Sequence, residues 1–173
     1  AAQSLNGSIS AIVIGKNHKD LASEVANFNV KEILTVDDSL VASYSADGYT
    51  EVLNHIINRK KPKLIICGHT YQTRDYIPRL SARNDTPFIP DVIEIKENLY
   101  TKQVLNSKLN ATCSSNSETL IISVQSAAYN AEDIETGSPL INSFEIQIKP
   151  EKVRSTSEVP FKDDVGDVDL ESA

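Results

Sequence analysis

The stretch Pro62-Lys63-Leu64-Ile65-Ile66-Cys67-Gly68-His69-Thr70-Tyr71-Gln72-Thr73-Arg74-Asp75-Tyr76-Ile77-Pro78-Arg79-Leu80-Ser81-Ala82-Arg83 decides the fold. Leu64-Ile65-Ile66-Cys67 is apolar on consecutive positions and is bounded by Pro62 and Gly68, which suits a strand covered on both faces, as in a parallel sheet. A polar turn, His69-Thr70-Tyr71-Gln72-Thr73, follows, and then a helix-like stretch over residues 75–82. The same signature recurs upstream in Ser8-Ile9-Ser10-Ala11-Ile12-Val13-Ile14-Gly15 and in Lys31-Glu32-Ile33-Leu34-Thr35-Val36. Between these two runs, Leu21, Ala22, Val25, Ala26 and Phe28 fall at helical spacing within residues 18–28. Tyr49, Val52, Leu53, Ile56 and Ile57 do so again, until Arg59-Lys60-Lys61 and Pro62 stop the helix with basic residues at its carboxyl end, where the macrodipole favours them. Strand alternating with helix predicts an α/β fold, a doubly wound parallel sheet.

After Pro87 the rhythm changes. Phe88-Ile89-Pro90-Asp91-Val92-Ile93-Glu94-Ile95 and residues 101–105, 111–113, 120–125 and 144–148 read as short strands separated by turns. Glu97-Asn98 marks one hairpin and Ser114-Ser115-Asn116-Ser117-Glu118 another, so this half is expected to add antiparallel strands to the parallel sheet. Residues 150–173 are acidic, rich in Ser, Asp, Glu and Val, and without a sustained period. The expected organisation is one domain over residues 1–150 and a flexible linker over 151–173.

A length of 173 residues with 40% hydrophobic content suffices for one buried core. Lys+Arg 17 against Asp+Glu 24 gives a net charge of -7, which removes the electrostatic basis for gripping phosphate backbones or acidic membranes. Cys67 and Cys113 lie far apart without CxxC spacing, so reduced, structural thiols are expected rather than a disulfide framework or zinc cluster. No apolar run approaches the ~20 residues that span a bilayer. The absence of Met and the opening Ala1-Ala2-Gln3-Ser4-Leu5 are read as a processed or trimmed start.

Gly15 and Gly68 follow predicted parallel strands, where such sheets present loops to ligands, but neither belongs to GxGxxG or a P-loop. They read as turn glycines with positive φ. His18, His55 and His69 fall on a loop, a helix and a turn without metal-ligand spacing, and His69 reads as a solvent-exposed turn residue. No GxSxG elbow is present, and Cys67 sits inside an apolar strand, so no catalytic residue is assigned. The candidate anion-binding residues are Thr70, Arg74 and Arg79, at the end of a strand and the start of a helix. The competing and favoured reading is scaffolding: Asp75 near the helix start, Arg79 and Arg83 one turn apart, and one of these arginines paired with Asp91.

Gly68, Thr70, Arg74, Asp75, Pro78, Arg79, Ala82, Arg83 and Asp91-Val92 together resemble the G-x-T-x-x-G-R-D-x-x-P-R-x-A-x-R … D-V segment of electron transfer flavoprotein alpha subunits. Ala11-Ile12-Val13-Ile14-Gly15 is similar to that family's early strand, Lys31-Glu32-Ile33-Leu34-Thr35-Val36-Asp37 to its V-x-K-V-L-x-V-D strand, and Val168-Asp169-Leu170-Glu171-Ser172-Ala173 to the D-L-x-x-A before its second domain. The resemblance runs in order along nearly the whole chain. The sequence departs from the pattern at Thr73, where the family has Gly, at Gln125, where it has Arg, and over Leu105-Asn106-Ser107-Lys108-Leu109. The strands carrying the latter two departures are expected to face the partner subunit.

The resemblance implies a Rossmann-like three-layer sandwich of the adenine nucleotide alpha hydrolase-like type, mostly parallel with antiparallel additions. It implies the N-terminal domain of the alpha subunit, with a first strand missing ahead of Ala1 and an FAD-binding domain expected after Ala173. FAD in the intact protein would be bound mainly by that absent domain, and no cofactor or metal is expected on these residues. The intact protein would pair with a beta subunit, take electrons from flavin dehydrogenases such as acyl-CoA dehydrogenases of fatty acid β-oxidation, and pass them to a membrane quinone oxidoreductase. It would be an electron carrier rather than an enzyme, in the mitochondrial matrix, or in the bacterial cytoplasm if prokaryotic. The alternative is a stand-alone nucleotide- or anion-binding module built on residues 68–79.

Overall fold

In the computed structural model, which describes residues 1–5, 7–16, 18–130 and 134–158, the apolar runs become parallel strands. β1 (Ser10–Ile14) and β2 (Glu32–Val36) pair in parallel through the connecting helix α1 (His18–Val25). Helix α2 (Ala46–Lys60) leads to β3 (Leu64–Gly68), and α3 (Tyr71–Asn84) leads to β4 (Phe88–Lys96). β4, β5 (Leu99–Val104) and β6 (Leu109–Cys113) form an antiparallel meander. β7 (Leu120–Val124) then inserts between β3 and β4, parallel to both, and β8 (Leu140–Ser143) adds in parallel to β2. The fold is α/β and Rossmann-like, its strands divided between a parallel sheet ordered β1-β2-β8 and a mixed sheet ordered β3-β7-β4-β5-β6.

Helix limits follow from local chemistry. Ser45 caps α2 by accepting from the Gly48 N–H at 3.2 Å, and Lys61, at φ 46, ends the helix in the left-handed region after Arg59 and Lys60. Thr70 caps α3, which therefore begins two residues after His69 and absorbs most of the expected polar turn. Pro78 sits inside α3, where it removes one helical N–H donor.

The layers follow from strand alternation. Val13 and Ile33 pack against Ala22 of α1, whereas Ile14, Leu34 and Val36 face Val52 and Ile56 of α2 together with Phe144 and Ile148. On the mixed sheet, Ile65, Cys67, Phe88 and Ile121 face Leu53 and Ile57 of α2 and Ile77 and Leu80 of α3. Adjacent stripes of α2 thus serve both sheets. Complete burial of each such side chain contributes about 1.5–3 kcal/mol. The other face of the mixed sheet holds Ile89, Val92, Tyr100, Leu120 and Ile122.

Two turn and strand expectations are corrected. Residues 114–118 do not close a hairpin: they carry the chain from β6, at one edge of the mixed sheet, back to β7 inside it, a pairing set by tertiary contacts. The second hairpin turn is instead residues 105–108, where Leu105, Asn106 and Ser107 all have positive φ. The last strand is Leu140–Ser143 rather than 144–148; Phe144 and Ile148 nevertheless bury their side chains in the α2 core. Beyond a 3-10 turn at Pro150–Lys152, Val153 packs on that same cluster. The linker expected over 151–173 is described only as far as residue 158, and Val168-Asp169-Leu170-Glu171-Ser172-Ala173 lies outside the described residues.

Candidate functional site

The carboxyl ends of β3, β7 and β4 meet around His69. Gly15, at φ 116, closes β1 in a conformation that favours glycine, but Gly68 has no positive φ and ends β3 as an ordinary strand residue. His69 donates its backbone N–H to the Val124 carbonyl at 2.8 Å, and its Nδ1 lies 2.8 Å from Ser123 Oγ. The Ser123 hydroxyl oxygen also accepts the Asp91 N–H at 3.2 Å. That N–H needs a side-chain acceptor because the β4–β7 register shifts between Ile89 and Val92, where Asp91 adopts φ 60. His69 is therefore half-buried and held, not the solvent-exposed turn residue expected, because β7 lies beside β3 and brings a fully buried serine to it.

The three candidate anion ligands are not brought together. Thr70 spends its hydroxyl on the helix cap: Oγ1 accepts the Thr73 N–H at 3.2 Å and lies 3.0 Å from Thr73 Oγ1. Arg74 is exposed, its guanidinium 5.8 Å from the Tyr71 ring centroid, and it lines an open cavity of about 500 Å³ with His69, Pro78, Phe88, Pro90 and Asp91. Arg79 points elsewhere, donating to Asp75 at 3.2 Å and to Asp47 of α2 at 3.5 Å. Arg83 donates to Glu51 of α2 at 2.7 Å, and Glu51 also meets His55 at 3.5 Å. Neither arginine pairs with Asp91; both face α2, which packs alongside α3 and presents its own carboxylates.

The same face carries a ring cluster. Tyr44 and Tyr49 stand edge-on with centroids 5.0 Å apart, and Tyr49 and Tyr76 lie 5.6 Å apart. Tyr44 Oη donates to Asp75 at 2.8 Å; burial, then that hydrogen bond and the neighbouring carboxylate charge, hold its phenol above the usual range. Burial likewise pushes the Cys67 thiol up to about 12, and Sγ lies 3.4 Å from the Ile122 carbonyl. Both cysteines are free. The described residues contain no group of three or more His, Cys, Asp and Glu placed to hold a metal ion. Among them, no helix is long and apolar enough to cross a membrane.

At Gly68 a Cβ would meet only Thr70 Cγ2, at an ordinary 3.7 Å, so packing against other protein atoms does not require glycine there. Ser123, Asp47 and Tyr44 are the site residues that sequence reasoning missed. Only Asp47 had a local signal, as the acidic residue two positions after the Ser45 cap.

The model of the electron transfer flavoprotein domain matches residues 1–148. An electron transfer flavoprotein subunit alpha of Bacillus subtilis is 25% identical over 173 residues, covering 97% of this chain and 53% of the relative. Protein FixB of Clostridium saccharobutylicum is 30% identical over 117 residues, covering 64% of this chain and 35% of that protein. The LctC subunit of lactate dehydrogenase (NAD(+),ferredoxin) of Acetobacterium woodii is 29% identical over 96 residues, covering 54% and 23%. The chain thus spans about half the length of the Bacillus relative and less of the others. With a family match over most of its length and an α/β fold that carries it, this chain belongs to the electron transfer flavoprotein domain family.

Proposed function

We propose that this domain is the N-terminal scaffold of an electron transfer flavoprotein alpha subunit, part of a heterodimer with a beta subunit that carries electrons between flavin dehydrogenases and an acceptor. The observation that carries this reading is the family match over residues 1–148, joined to the use of Thr70 and Arg79 in internal bonds rather than toward a ligand. FAD would sit mainly on a domain outside these residues. The relatives named above are bacterial, which favours the bacterial cytoplasm over the mitochondrial matrix. A relative named as a lactate dehydrogenase subunit widens the donor class beyond acyl-CoA dehydrogenases, and a quinone oxidoreductase stays one acceptor among others. The β5–β6 turn suits the subunit face, since Leu105 and Leu109 are 69% and 57% exposed. Ser123, fully buried, offers that face nothing.

Co-expression of the longer alpha chain with its beta subunit, followed by visible absorbance of the purified complex, tests the reading. Oxidised-flavin bands in the heterodimer and none on residues 1–173 alone are expected; a colourless, unassembled pair refutes it. The second reading, an anion- or nucleotide-binding module, draws on the cavity that Arg74 and His69 share. It requires AMP, ATP or FAD at about 100 times Kd to stabilise the chain by about 2.7 kcal/mol.

A further inference from the structure

Residues 153–158 do not trail from the domain. The Arg154 N–H donates to Asp47 Oδ2 at 3.1 Å, and Ser155 Oγ lies 3.4 Å from the same oxygen. Ser157 Oγ donates to the Tyr44 carbonyl, just ahead of α2. The other Asp47 oxygen accepts from Arg79 Nη1 at 3.5 Å, and Arg79 Nη2 donates to Asp75 Oδ1 at 3.2 Å. Asp75 Oδ2 in turn accepts from Tyr44 Oη at 2.8 Å. The contacts form a closed circuit running from Ser157 through Tyr44, Asp75, Arg79 and Asp47 to Arg154 and Ser155. It joins the amino-terminal end of α2 and the middle turns of α3 to the segment that follows Val153, which is itself seated on the α2 core.

Asp47 is the node. It lies in the first turn of α2, where the helix dipole favours a carboxylate, and its side chain is only 21% exposed. Its two oxygens face different elements, α3 on one side and the carboxyl-terminal segment on the other. We propose that Asp47 is a latch that clamps residues 153–158 to the amino-terminal end of α2, so that the chain is held past Pro150 as far as Ser157. The latch concerns only residues 44–158 and stands or falls apart from the scaffold reading above.

The test is hydrogen exchange by mass spectrometry on residues 1–173, with limited trypsin digestion at the bond after Arg154. In the wild type, the Arg154 amide is expected to exchange at least about tenfold more slowly than in an unstructured segment, with slow cleavage after Arg154. Asp47→Ala should return both rates to those of an unstructured segment while the amides of β2 and β7 keep their protection. If D47A fails to fold, the double variant Ser155→Ala with Ser157→Ala, which alters only the clamped segment, makes the same comparison and should at least halve the protection. Unstructured rates in the wild type, or unchanged rates in the folded variants, overturn the latch. Neither readout involves flavin absorbance, so failure of the latch and failure of the electron-carrier reading are separable.

Discussion

Replacing Ser123 by Ala probes how the three parallel strands are joined at the site. Ser123 is fully buried; its oxygen is the acceptor for the Asp91 N–H and the partner of His69 Nδ1. A backbone donor left unpaired at a half-buried position costs about 1–3 kcal/mol, and losing the His69 bond, whose ring can turn to water, costs about 0.5–1 kcal/mol. The volume removed is one hydroxyl, so no cavity cost is added, and S123A should lose about 1.5–4 kcal/mol in all. At about 2–4 °C per kcal/mol for a chain of this size, Tm should fall by about 3–16 °C. Urea unfolding followed by circular dichroism on wild type, S123A, H69A and the double variant would also return a coupling energy of about 0.5–1.5 kcal/mol between the two side chains. A loss below about 0.5 kcal/mol in S123A would refute the idea that this hydroxyl repairs the register shift in β4, and additive single effects would refute its coupling to His69.

Leu80→Ala removes a completely buried side chain between α3 and the mixed sheet and should cost about 2–5 kcal/mol in the same unfolding assay. Arg83→Ala leaves Glu51, whose side chain is 12% exposed, without its 2.7 Å donor; because Arg83 itself is 40% exposed, the expected loss is about 1–2 kcal/mol, and no loss would mean water replaces the guanidinium. Cys67 should resist iodoacetamide in the folded chain at pH 8 and react once unfolded; rapid native labelling would contradict its placement in β3. The sign of its pH effect follows. The folded thiol is raised from 9.0 to about 12, so its contribution to stability is fully present below pH 9 and is lost as pH climbs toward 12, a fall that alkaline unfolding midpoints of wild type and C67A would resolve.

Local periodicity carried much of the fold. The apolar runs ending at Ile14, Val36 and Gly68 are strands, although β1 and β3 are only partly covered, and the stripe Val52, Leu53, Ile56 and Ile57 is the buried face of α2, because apolar spacing reports which side of an element must leave water. The Thr70 and Ser45 caps, which were not assigned from the sequence, are equally local, since a hydroxyl reaches its acceptor role within three residues. What the sequence by itself left open was every pairing between distant residues. The insertion of β7 between β3 and β4 placed Ser123 beside His69, and no spacing rule connects residues 54 positions apart. Asp91 was the expected partner of Arg79 or Arg83; Arg79 instead bonds Asp75, one turn back on the same helix, and Asp47, which only the packing of α2 against α3 brings to it. Charge and type are properties of the chain, but which charges meet depends on how its elements pack, because a salt bridge needs both groups within about 4 Å and only the tertiary structure sets that distance.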